Sequence, residues 1–374
     1  MSKGQKLHII SFDVPYPPDY GGVIDVFYKL KALSEEGVQI FLHCFQYGRE
    51  ISPELKKYCA DIFCYPRKKG IIHALKQRPY IVETRENPEL LNNLLKVKAP
   101  ILFEGLHTCA LAMHPELAGY RKIVRMHNVE HEYYSNLASA DSGTFVKFHF
   151  QRESKKLRQY ERQIIRHADI LITISPSDQK YFKGLYPDSV MIPAFHSFEK
   201  ISSKSGRGTY FLYHGNLSVA ENKKAVEFLL NGIFNQLPYN LIIAGKNPPS
   251  GLLKRINRLK NISVRANPAP DIMKDLIENA QACVIPTFQP TGLKLKLLAS
   301  LYEGRFCITN PDMAGNTGLE RVCILAESPE EFREAVATVA EKNFTSGEIQ
   351  ERTEVLEASF SNKANIKKLL NRIY

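Results

Sequence analysis

LHIISFDVPYPPDYGGVIDVFYKLKALSEEG, residues 7–37, sets a strand, a turn and a helix in one unbroken run. Leu7 to Val14 is apolar and of strand length. The turn PYPPDYGG ends on Gly21 and Gly22. From Val23 a helix carries Val23, Val26, Phe27, Leu30 and Leu33 on one face, until Gly37 stops it. The arrangement recurs in altered form downstream: TYFLYHGNLS (209–218) leads through a short polar turn into NKKAVEFLLNG (222–232). A glycine turn between a buried strand and a helix leaves backbone N–H groups free with the helix dipole behind them. Two such units predict two stacked α/β domains with a phosphate-bearing ligand between them.

The rest of the chain follows the same rhythm. VQIFLHCF, DIFCYP, PILFEGL, KIVRMHN, DILITIS and VMIPAF are strands in the first half; YNLIIAG, ISVRA, ACVIPTF and FCITN follow in the second. Near-continuous apolar strands alternating with helices read as parallel sheets covered on both faces. Ser175-Pro176 marks a capped helix start, and Ser328-Pro329-Glu330-Glu331 adds the acid of a capping box. Glu130 to His167 reads as mostly helical, and the chain as helical from Ser328 to Tyr374. The polar stretch PAFHSFEKISSKSGRG (193–208) reads as an interdomain linker.

With 374 residues, two domains are expected. Hydrophobic and charged contents of 44% and 24% are those of a globular protein. No apolar run reaches the ~20 residues of a membrane span, and the opening stretch, broken by His8 and Asp13, does not read as a signal peptide. Seven scattered cysteines predict neither a disulfide framework nor a metal site, and place the chain in a reducing cytoplasm. The net charge of +11 fits nucleic acid, an anionic membrane face or a small anionic substrate. No nucleic-acid motif supports the first, so no nucleic-acid partner is expected.

Taken together, five segments resemble the retaining nucleotide-sugar glycosyltransferases of the GT-B fold, family 4 in particular. They are PYPPDYGGVIDVFYKLKALSEEGVQI, RMHNVEHEYYSNLA, ADILITISPSDQKYF, HGNLSVAENKKAVEFLL and VIPTFQPTGLKLKLLASLYEGRFCITN, in the family's order and over nearly the whole chain. The resemblance implies two Rossmann-like domains with parallel sheets facing across a cleft. An acceptor-binding domain over residues 1–195 and a nucleotide-sugar-binding domain over 207–355 would be followed by a C-terminal helix, 356–374, crossing back to the first. It further implies transfer of a hexose or mannose-like sugar, with retained configuration, from a nucleotide-sugar to a glycan or lipid-linked acceptor. That reaction needs no cofactor and no metal.

On this resemblance Gly21 and Gly22 let backbone approach the donor phosphate or the acceptor; a tight turn without ligand is the alternative. His127 ends the strand KIVRMHN and would donate to a sugar hydroxyl or diphosphate oxygen, although a histidine there can also be structural. In the donor domain many relatives carry an Arg after the glycine matching Gly215 and a Lys six residues later. Here those positions are Asn216 and Asn222, with Lys223 or Lys224 as neighbours. The family's two acidic positions align with Thr291 and Ala299, and Glu303 lies one helical turn beyond the second. Lys294 and Lys296, with the N–H groups of Thr291, Gly292 and Leu293, form a candidate diphosphate cradle in which Lys294 replaces the missing Arg/Lys pair. Two exposed lysines on an amphipathic helix are the alternative. The basic stretch Lys155 to Arg166 would face the inner, anionic side of a membrane carrying the acceptor. Because Asn216, Asn222 and Ala299 depart from the pattern, a GT-B sugar-nucleotide-binding or scaffold protein without turnover is the competing expectation.

Overall fold

The computed structural model describes residues 4–140, 143–256, 258–288 and 295–374. The chain divides into two compact units. The first runs to Ser197 and takes back Phe360–Tyr374; the second holds the described residues from Phe198 to Ser359.

The first unit is built on a seven-stranded sheet. Its strands are β1 (Lys6–Ser11), β2 (Gln39–Gln46), β3 (Asp61–Pro66), β4 (Ile101–Glu104), β5 (Lys122–Met126), β6 (Ile170–Thr173) and β7 (Val190–Met191). They stand in the order β3-β2-β1-β4-β5-β6-β7, and every pairing is parallel. The second unit repeats this with β8 (Phe211–His214), β9 (Leu241–Gly245), β10 (Ile262–Ala266), β11 (Ala282–Val284), β12 (Phe306–Thr309) and β13 (Ile324–Leu325). Its order is β10-β9-β8-β11-β12-β13, again parallel. In each sheet the order reverses beside the first strand, between β1 and β4 and between β8 and β11. Ligands of doubly wound sheets bind at the carboxyl ends of strands at such a reversal.

The apolar faces read from sequence close these layers. Val26, Leu30 and Leu33 of the Gly21–Glu35 helix join Leu7, Ile9, Ile40 and Leu42 in one core cluster. The final helix, Asn362–Ile373, adds Ile366, Leu369, Leu370 and Ile373 to that cluster. Its end is tied down by Tyr374 Oη donating to Lys6 O at 2.9 Å and by Arg121 donating to Arg372 O at 2.9 Å. The capping residues act as expected: Ser175 Oγ accepts from Asp178 N and Ser328 Oγ from Glu331 N, each at 3.2 Å.

Three expectations change. VMIPAF supplies strand only at Val190–Met191, because the carbonyls of Ile192 and Pro193 turn to accept from the Arg125 guanidinium, both at 3.0 Å. The linker begins later than Pro193, since Ala194, Phe195 and His196 are buried in the first unit. Phe195 N donates to Asp25 at 2.7 Å, and His196 Nε2 bonds Phe360 O at 2.8 Å. The helical stretch from Ser328 is three helices, Pro329–Ala340, Ser346–Phe360 and Asn362–Ile373.

Candidate functional site

At the carboxyl edge of the first sheet, five charged or titratable side chains share one buried cluster. Asp25 and Lys29 come from the first helix, Glu104 from the end of β4, Arg125 from β5, and His127 from the residue just past it. Arg125 grips Asp25 with two hydrogen bonds of 2.9 Å. Lys29 Nζ stands 2.9 Å from Asp25 and 2.8 Å from Glu104, and His127 Nε2 lies 2.9 Å from Glu104 Oε2. Burial alone would raise the Asp25 carboxyl pKa, but Arg125, Lys29 and His127 overcome it and hold the group far below its ordinary range. Burial opposes ionisation of Glu104 in the same way, and Lys29 and His127 outweigh it to keep its pKa low. With Glu104 ionised, Nε2 of His127 carries the proton it donates. In the neutral ring Nδ1 is then the acceptor nitrogen, and nothing among the described residues hydrogen-bonds it.

Asp25, Glu104 and His127 bring one possible ligand atom each within 4.8 Å of one another. Lys29 Nζ already bridges the two carboxylates, in the place a metal ion would need, and Arg125 supplies a second positive charge. Two cations answering two carboxylates leave this donor set no unbalanced charge for a divalent ion. Glu130 and His131 point to different partners: His131 Nδ1 bonds Glu161 at 2.6 Å, whereas Glu130 Oε1 lies 3.8 Å from His107 Nδ1.

A second layer surrounds His127. The Phe12 ring meets His127 edge-on at 5.5 Å and tilts against His107 at 5.6 Å. Arg85 holds the Phe12 carbonyl at 3.0 Å, and burial brings its pKa down to about 9. Burial, then Glu161, pushes Glu130 up to about 8, while burial, then Arg85, drives His107 well below its ordinary value. At neutral pH this pair is therefore uncharged.

The glycine loop is set by Asp13, which accepts from Val14 N at 2.8 Å and from Tyr20 Oη at 3.0 Å. The helix begins at Gly21 with no side-chain cap and no acid in its first turn. Gly22 has a local reason of its own, because a Cβ there would stand 2.5 Å from the Phe12 ring.

At the carboxyl edge of the second sheet the materials differ. Asn222 Nδ2 donates to Asn216 O at 2.8 Å, and Asn222 Oδ1 accepts from Lys296 Nζ at 2.7 Å and from Tyr213 Oη at 3.0 Å. The Lys296 ammonium lies 5.4 Å from the Tyr213 ring centroid. His214 bonds Ser300 at 2.9 Å, and burial, then Lys296, lowers its pKa to about 3. Gly215 abuts Asn222, and a Cβ on Gly245 would fall 1.7 Å from the Gly215 carbonyl oxygen. In the turn after β10, Asn267 adopts a left-handed backbone and its side chain accepts from Asn247 N at 2.8 Å.

The fold thus brings Gly215, Asn216, Asn222 and Lys296 together. It does not bring Glu303 to them. Glu303 ends the Leu295–Glu303 helix, ~10.5 Å along the axis from Lys296, beside Lys274 and Glu278 at the amino edge of the sheet. Burial pushes its pKa up to about 7. Lys223 is exposed, and Lys224 lies over the Phe288 ring at 4.6 Å. Thr291, Gly292, Leu293 and Lys294 fall outside the described residues. Sequence reading missed Asp25, Lys29, Glu104, Arg125, His107, Glu130 and Arg85 as a group. The available signal was charge in apolar contexts: Asp25 and Lys29 sit on the buried stripe of their helix, and Arg125 interrupts KIVRM.

No family model matches the chain. It is 26% identical over 333 residues to an uncharacterized 44.6 kDa protein in the cps region of Klebsiella pneumoniae, covering 84% of each chain. Among solved structures, TarM of S. aureus superposes with a TM-score of 0.70 at 10% identity, over 99% of both chains. HepE of Anabaena, solved with UDP and glucose, superposes at 0.67 and 10% identity over 98% of both. These likenesses give the fold: two parallel-sheet α/β units of the GT-B type.

Proposed function

We propose that the chain is a glycosyltransferase that moves a hexose or mannose-like sugar from a nucleotide-sugar to a glycan or lipid-linked acceptor, with retained configuration and no metal. The observation that carries the proposal is Lys296 at the Gly215 turn. The resemblance expects a lysine at position 222; this chain has Asn222 there, and the Lys296 ammonium stands 2.7 Å from its side-chain oxygen. On this reading a cation from another helix would serve where a departing diphosphate needs one. Lys296, backbone N–H groups of the turn after Gly215, and Lys294 would stabilise the charge that develops on the leaving group. Without a metal, electrostatic stabilisation of this kind is the strongest rate effect such a site can supply. On the resemblance Thr291, Gly292 and Leu293 would line the same cradle, whereas Glu303, at the far end of its helix, would not.

In the first unit, His127 would orient the acceptor hydroxyl. Its Nε2–H is committed to Glu104, so Nδ1 is the nitrogen that would meet the acceptor. Lys29 and the His127 hydrogen bond itself hold Glu104 ionised against burial and the nearby Asp25 carboxylate. HepE, solved with UDP and glucose, and the S. aureus TarM variant, solved with UDP, support a uridine nucleotide as the first donor class to try. The likeness to a protein in a cps region is compatible with a role in polysaccharide assembly.

The test is product analysis by mass spectrometry over a panel of nucleotide-sugars and acceptor glycans. Transfer by the native chain is expected, with kcat lowered at least about tenfold in His127→Ala and the nucleotide Kd raised about thirtyfold in Lys296→Ala (about 2 kcal/mol). Asn216, Asn222 and Ala299 favour the competing reading, a binding or scaffold protein. Tight nucleotide-sugar binding without transfer to any acceptor would establish that reading instead.

A further inference from the structure

We infer that the first unit docks on an anionic lipid bilayer through an apolar tip on the carboxyl side of its sheet. Five large apolar side chains stand in solvent there: Phe145 is 92% exposed, Ile71 78%, Ile72 70%, Phe148 67% and Leu75 63%. They come from two helices fixed to each other. Arg152 donates to Leu75 O at 3.4 Å and Lys156 to Ala74 O at 2.8 Å, so the Thr144–Ile165 helix caps the end of the Ile71–Leu75 helix. Phe145, Phe148 and Arg152 are three and four residues apart and share one helix face. The face that meets the short helix is thus the one that carries both phenylalanines beyond it. Exposed apolar clusters of this kind mark interaction surfaces.

Placement follows from the chain. The short helix leaves the carboxyl end of β3. The Glu130–Ala140 helix leaves that of β5 and pairs antiparallel with its successor, Ser154 Oγ donating to His131 O at 2.7 Å. The tip where Phe145 lies therefore projects from the same edge of the sheet as His127.

Charge selects the occupant. RKKGIIHALKQR (67–78) and GTFVKFHFQR (143–152) contain no Asp or Glu, and Lys68, Lys69, Lys76 and Lys147 are exposed. Apolar side chains ringed by cations suit a bilayer with anionic headgroups, which accepts both. A second copy of this chain would bring cations against cations. The basic stretch Lys155 to Arg166, expected from sequence to face the membrane, lacks this pairing. Its apolar side, Leu157, Tyr160 and Ile164, is spent in the core, and the residues that reach solvent beside it are polar or basic: Lys155, Arg158, Gln159, Arg162, Gln163 and Arg166.

The test reads the surface alone and is independent of the transferase reading. The full chain is sedimented with vesicles of phosphatidylcholine and phosphatidylglycerol in equal parts, and with phosphatidylcholine alone. Binding is expected only to the first and is expected to fall as salt rises. It should drop at least about tenfold in Phe145→Ser/Phe148→Ser and in Lys68→Glu/Lys69→Glu, but stay within about twofold in Lys254→Glu/Lys260→Glu on the second unit. The chain has no tryptophan, so Phe145→Trp adds a single reporter whose emission should shift to the blue on these vesicles. No native binding, equal loss in the second-unit variant, or an unshifted Trp emission would overturn the inference. So would a dimer in sedimentation velocity that the Phe145→Ser/Phe148→Ser variant abolishes.

Discussion

Beside β1 and β4 the first unit buries two carboxylates, an ammonium, a guanidinium and His127; beside β8 and β11, among the described residues, the second unit places amides, a tyrosine hydroxyl, the Glu221 carboxylate held by Thr287 and the Lys296 ammonium. The strand order is the same in both, so the contrast lies in what the two edges must hold. A buried ion is costly unless paired, and each member of the first cluster is stable only because another faces it. That interdependence fixes the His127 ring and the turn around it before any ligand arrives. The second edge relies on close backbone approach, with Gly215 crossing over Gly245, and carries the Lys296 charge on a long, adaptable side chain.

The sharpest way to break this contrast is Asp25→Ala. It strands Arg125 and Lys29 without their shared partner, and about 3–5 kcal/mol of stability should be lost in urea melts. A loss below about 1 kcal/mol would mean that the cluster is not the keystone of its edge. In the second unit the damaging change should be one of volume. Gly245→Ala puts a methyl 1.7 Å from the Gly215 carbonyl oxygen, and about 3 kcal/mol is expected from the same melts. Near-neutrality there would show that the turn after β8 can move aside.

A subtler separation comes from pH. Between the unfolded carboxyl value of 4.5 and about 8 the folded chain keeps a proton on Glu130 that the unfolded chain has released. Stability therefore falls as pH rises through that window, by about 1.4 kcal/mol per unit. Glu130→Gln should remove this component, so its advantage over the native chain should grow from about pH 5 to about pH 8 and then level off. Parallel curves across the window would show that Glu130 titrates normally.

Much of this was legible beforehand because it rests on local pattern. Strands such as LHIISFDV and the capped helix starts at Ser175 and Ser328 carry their own signals, and strand–helix alternation implies parallel sheets. The glycine turn at Gly215 was found by its position in the repeat, and Asn216 and Asn222 by the resemblance. The buried cluster was not found, because Asp25, Lys29, Glu104 and Arg125 meet only through sheet order and register, and a lone charge in an apolar strand carries no local sign of its partner. Lys296 was placed in a diphosphate cradle by the resemblance, but its bond to Asn222 spans 74 residues and was not foreseen. Glu303 misled for the opposite reason: one helical turn from Ala299 is near in sequence, yet in the fold it points to the amino edge of the sheet.

The most direct test is thermal unfolding of the native chain and of Lys296→Ala against UDP-, GDP-, ADP- and dTDP-sugars. A ligand at about one hundred times its Kd adds about 2.7 kcal/mol, enough to raise the midpoint by about three degrees in a chain of this size. Selective stabilisation by one nucleotide class, lost in Lys296→Ala at the same concentration, is the predicted result. No stabilisation by any of them, or equal stabilisation of both proteins, would contradict a donor site built around Lys296.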